Sequence, residues 1–127
     1  MKTLALGLAL CLVVPLAALA DPVEGIWKTE VDEGAYAHVT FEPCGAGLCG
    51  TILRTFRSGG EFKSDTIGRK LVWDMSPAGG GDYTGGKIWQ PSTDKVYKSK
   101  MSLAGDTLRV AGCVGPICKK QTWTRVK

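Results

Sequence analysis

The feature that most constrains this chain is a rhythm. Short runs in which apolar and polar residues alternate recur along it, each closed by a Gly-containing turn. Period-two alternation puts one set of side chains on each face of a strand, and turns this frequent leave no room for long helices. The clearest run is 95–103, where Tyr97, Ser99, Met101 and Leu103 oppose Lys98, Lys100 and Ser102. Residues 35–43 behave alike, with Ala37, Val39 and Phe41 against Tyr36, His38 and Thr40. Further strands are expected at 23–31, 49–57, 69–75, 87–90, 107–112 and 119–126. In 69–75, Leu71, Trp73 and Met75 are expected to share one face. Residues 61–68 read as irregular. The glycine-rich stretch Ser76–Gly86 reads as a long loop, a candidate lid or contact element. About eight short strands with hairpin-length connections predict a small up-and-down antiparallel β-barrel, whose closure removes exposed sheet edges.

The first 20 residues do not share this rhythm. Lys2 is followed by an uncharged apolar run from Leu4 to Ala20 that ends in Ala18-Leu19-Ala20. This is the pattern of a cleaved signal peptide covering 1–20. It leaves a single domain at 21–127, exported to the periplasm or beyond, with no membrane span after cleavage. The full chain carries a net charge of +4, and removing Lys2 lowers it to +3. No Lys/Arg block points to nucleic acid.

Four cysteines follow, in two pairs of equal spacing: Cys44 with Cys49 and Cys113 with Cys118. In an oxidising compartment an even count favours disulfides. Each pair brackets a Gly-containing turn between strand-like runs, so the local pairings are expected. Zinc usually takes two-residue Cys spacings, and the chain has one histidine, His38, so no metal site or cofactor is expected. His38 has no neighbouring nucleophile or carboxylate and reads as a strand-face histidine. Asp74 reads as a surface charge. No carboxylate pair suggests glycosidase chemistry. Gly81–Lys87 matches a phosphate-binding loop at both glycines and the lysine. Ile88 stands where Ser or Thr is needed, and Pro91 prevents a following helix.

Gly25-Ile26-Trp27 in the first strand, with Trp123 and Arg125 in the last, resembles the lipocalin/calycin signature. There the Trp closes one end of the barrel and the Arg packs across it; Gly25, Trp27, Trp123 and Arg125 are the matching positions. The whole of 21–127 resembles more narrowly the bacterial exported family called domain of unknown function 2147. The resemblance is carried by Gly25–Thr29, Pro43-Cys44…Cys49-Gly50, Gly86–Ile88 with Lys95–Tyr97, Gly105–Leu108, and Gly112–Gly115 with Thr122–Arg125. It implies a lipocalin-like barrel.

Such a barrel either fills its interior with side chains or holds one small ligand. Strands this short favour a filled interior. If a ligand is held, Trp73, Trp89, Tyr97 and Met101 are its expected contacts, and the ligand is small and apolar or amphipathic. The alternative is a non-enzymatic binder of an exported protein, such as a protease or lysozyme inhibitor, acting through Ser76–Gly86 or Asp21–Glu24. A basic lysozyme suits a net +3 chain poorly.

Overall fold

The computed structural model describes residues 20–127. The expected signal peptide thus lies, but for Ala20, outside the described residues. The rest is all-β: β1 (Gly25–Lys28), β2 (Ala35–Cys44), β3 (Gly47–Arg57), β4 (Gly60–Phe62), β5 (Lys70–Gly79), β6 (Asp82–Gln90), β7 (Lys95–Ala104), β8 (Thr107–Val114) and β9 (Ile117–Arg125). The sheet runs β2-β1-β9-β8-β7-β6-β5-β3, and β2 pairs again with β3. Eight antiparallel strands therefore close into a barrel. The short β4 adds to β3 outside that ring, within the stretch read as irregular.

The two ends differ. The β2–β3, β5–β6 and β7–β8 turns lie at one end, and the chain before β1 crosses beneath them. The other end carries the β1–β2, β6–β7 and β8–β9 connections. Closest packing is at the first end, where Val23, Trp27, Val39, Val72, Met75, Leu108 and Trp123 lose all solvent contact. Phe41 tilts against Trp123, with ring centroids 6.1 Å apart. Cys44–Cys49 closes the β2–β3 tip and Cys113–Cys118 the β8–β9 tip. One disulfide thus sits at each end of the barrel.

Two expectations need correction. Ser76–Gly86 is not a loop: β5 and β6 pair from Val72↔Ile88 to Gly79↔Asp82. The glycines that suggested a loop make the hairpin turn, with Gly79, Gly80 and Gly81 all in the left-handed region. Nor does β5 alternate simply. Asp74 has a φ of 56° and the pairing with β3 is bulged, so Leu71 and Val72 are both buried. Trp73 leaves the face it was expected to share with Leu71 and Met75. It is half-buried, lies opposite Lys87 and packs against the margin of the core.

Candidate functional site

The barrel interior is not filled. A cavity of about 530 Å³ occupies the end away from the packed core. Its depth is set by Trp123, whose indole forms part of the lining above the closed end. Ile52, Leu71, Ile88, Trp89, Tyr97 and Val110 contribute apolar wall. Thr29, Thr55, Ser64, Gln90 and Gln121 add polar groups. Such a mixture of apolar wall and few polar groups suits a small organic molecule better than an ion.

A glycine explains part of the space. Gly112 faces Ile88 and Tyr97; a Cβ there would lie 3.4 Å from Ile88 Cγ2 and 3.7 Å from Tyr97 Cβ. The absent side chain leaves room for the cavity. The short strands do not prevent an interior volume because the large side chains gather at the opposite end.

The four expected ligand contacts separate. Trp89 and Tyr97 line the cavity, whereas Trp73 and Met101 do not. Met101 is 3% exposed and belongs to the packed core. Trp89 is fixed from two sides: its Nε1 donates to Asp94 Oδ1 at 2.8 Å, and the Arg69 guanidinium lies 3.7 Å from its ring centroid. The Trp123 indole donates to Gln121 Oε1 at 3.0 Å. Sequence reasoning missed Lys119 and Gln121, which line the cavity from β9. They share strand parity with Trp123, and that signal could have found them.

The mouth is asymmetric. Glu30, Asp32 and Glu33 form one side, and Val114, Ile117 and Lys119 another. Glu30 also accepts a hydrogen bond from the Thr122 backbone N–H at 2.8 Å, tying the segment after β1 to β9. Among the described residues no group of three His, Cys, Asp or Glu is placed to hold a metal ion. His38 points away from the cavity, tilted against Phe56 at 4.6 Å. Burial, then the charges of Arg54 and Lys28, hold its pKa below the usual 6.5. The phosphate-loop-like segment lies along β6, so it forms no loop-to-helix cradle.

The closed end is built from the chain's first and last strands. Arg125 lies over Trp27, 4.3 Å from ring centre to guanidinium carbon. Its Nη2 donates to the Pro22 carbonyl at 2.7 Å, its Nη1 to the Glu24 carbonyl at 3.2 Å, and its Nε to Asp106 at 3.0 Å. Trp27 Nε1 donates to the Val23 carbonyl at 2.8 Å. Gly25 has a φ of 128°, and a Cβ there would lie 2.5 Å from the Lys127 carbonyl oxygen. Only glycine fits both demands. Tyr83 reaches across from β6 to bond the Asp21 carboxylate, so residues 21–24 are bound beneath the barrel from three directions.

A closed eight-stranded barrel, packed at one end and hollow at the other, is a lipocalin-like architecture. The family model described as "Uncharacterized protein conserved in bacteria (DUF2147)" matches residues 25–125, and the chain belongs to that family. A solved Helicobacter pylori protein, HP1028, described as belonging to the lipocalin family, superposes with a TM-score of 0.67. The match covers 83% of each chain at 17% identity, a likeness of fold. No curated protein matches the sequence.

Proposed function

We propose that this chain is an exported, non-enzymatic carrier of a small apolar or amphipathic ligand held in the barrel cavity. The observation that carries this reading is the cavity itself. Its volume of about 530 Å³ lies within the range of roughly 300–1,000 Å³ typical of small-molecule sites. Trp89 and Tyr97 supply aromatic wall, Trp123 the floor, and Thr55, Gln90 and Gln121 the groups that orient a polar end. Export rests on the signal-like pattern of residues 1–20 and on two disulfides. The carrier reading is preferred to that of a protein inhibitor because, of the two elements that reading would use, Ser76–Gly86 is committed to strand pairing and Asp21–Glu24 is held beneath the barrel by Tyr83, Arg125 and Trp27.

The test is native mass spectrometry of protein recovered from the periplasm, before and after denaturing solvent extraction. The expected result is a co-purifying small molecule that leaves on extraction. The stripped chain should have the mass of residues 21–127 less four hydrogens. Uniformly empty protein that also fails to take up any compound from a lipid extract contradicts the carrier reading.

A further inference from the structure

The charge of this protein is not spread evenly. Strands β7, β8 and β9 contain seven Lys and Arg residues and no Asp or Glu. Most point outward, and the pairing register assembles them into one patch. Lys87 lies directly opposite Lys98. Lys100 and Lys120 flank Ala111 on either side, and Arg109 lies opposite Ser102 in the next row. Cross-strand neighbours stand about 5 Å apart and alternate residues along a strand about 7 Å apart, so the five cations share one wall. Like charges placed opposite each other oppose folding slightly. None of the five is in an ion pair: the side-chain ion pairs among the described residues are Arg54–Glu61 and Arg125–Asp106, and the carboxylates nearest the wall are Asp82, in the row of Arg109, and Glu30, held on the Thr122 N–H of β9.

The same wall ends, at the cavity mouth, in exposed aliphatic side chains. Ile117 is 77% exposed and Val114 66%, both at the disulfide-closed β8–β9 tip, and Val96 at the start of β7 is 52% exposed. A nucleic acid or an acidic protein would account for the lysines but not for three bare aliphatics beside them. An anionic lipid surface accounts for both: headgroups attract the cations, and the aliphatics enter the boundary between headgroups and chains.

We propose that the outer wall of β6–β9 and the β8–β9 tip form a docking face for an anionic phospholipid bilayer. The protein then lies tilted, with the wall on the membrane and the mouth at its edge. The acidic side of the mouth, Asp32 and Glu33, is turned to solvent because it is repelled, and Glu30 stays tied to the Thr122 N–H at the edge of the wall. Docking in this pose requires no occupied cavity, so it stands apart from the carrier reading.

The experiment is co-sedimentation with vesicles of phosphatidylcholine alone and of phosphatidylcholine with phosphatidylglycerol. It uses the chain from Asp21 onward, because every barrel pairing lies within residues 25–125. The protein should pellet with the anionic vesicles only, and less as salt rises. The Lys98→Gln, Lys100→Gln, Lys120→Gln variant should bind about a hundredfold more weakly, at about fivefold per exposed lysine. Ile117→Ser with Val114→Ser should weaken binding while keeping the salt dependence. Lys63→Gln with Lys70→Gln, on another wall, should change little. Equal binding to both vesicle types, no binding to either, or a triple variant that binds like the parent overturns the proposal. So does salt-dependent binding to single-stranded DNA by a protein that ignores anionic vesicles.

Discussion

Arg125 lies across the face of Trp27, its guanidinium carbon 4.3 Å from the ring centroid, and the pair joins the first strand to the last. The same guanidinium holds the carbonyls of Pro22 and Glu24. One side chain thus seals the barrel and fastens the segment beneath it. Arg125→Ala removes the stacking and leaves two carbonyls without their donor. Unfolding free energy should fall by about 2–4 kcal/mol in denaturant titration. Arg125→Lys should recover only part of this, because an ammonium cannot stack or fork. A loss below about 0.5 kcal/mol, the scale of ordinary surface changes, contradicts this role.

The two disulfides close equally short loops at opposite ends of the barrel. In the chain-entropy account each contributes about 2 kcal/mol, so the paired Cys→Ser variants should lose similar stability. Function should separate them. Removing Cys113–Cys118 frees a hairpin tip whose Val114 and Ile117 line the cavity mouth, and should weaken ligand uptake. Removing Cys44–Cys49 should leave uptake intact. Equal effects on uptake would show that the mouth does not depend on its staple.

Tyr83 bonds Asp21, and burial and that carboxylate both raise its pKa above the usual 10. The neutral phenol is therefore the form the fold prefers. Its contribution is complete below pH 10 and is lost as pH rises further. Tyr83→Phe should lower stability at neutral pH and flatten the alkaline decline in Tm. A variant that declines as steeply as the parent contradicts the assignment.

His38 is the chain's single histidine, so its NMR titration is unambiguous. It should titrate below 6.5, because burial and then Arg54 and Lys28 disfavour the cation. For a lowered pKa the contribution to stability is present above 6.5 and lost as pH falls through the folded value. Arg54→Gln should raise the His38 pKa toward 6.5. A parent value at or above 6.5 contradicts the geometry around Phe56.

Where residues alternate without interruption, the strands were legible. β2 and β7 follow their pattern, with Val39 and Phe41 inside, and Met101 and Ser99 inside. Reading failed where the backbone departs from plain pleating. Asp74 and the β5 bulges shift the parity of Trp73, which no count of alternate residues detects. The β5–β6 hairpin was hidden by its glycines, whose positive φ values serve a tight turn as readily as a loop. The cavity was hidden for another reason. Its inner face includes Lys119 and Gln121, polar residues on the side of the strand that a filled barrel would reserve for apolar ones. Polar residues facing inward are what a solvated, ligand-holding interior requires, and in sequence they resemble an outer face.

The most direct test of the carrier account is a binding titration with the neutral fluorescent probe N-phenyl-1-naphthylamine, comparing the parent with Gly112→Leu. The new side chain starts beside Ile88 and Tyr97 and extends into the cavity, without backbone strain at a position whose φ is ordinary. The account predicts saturable one-to-one binding by the parent and at least tenfold weaker binding by Gly112→Leu, with Tm preserved. Equal binding by the two proteins would place the probe outside the barrel and contradict the central claim.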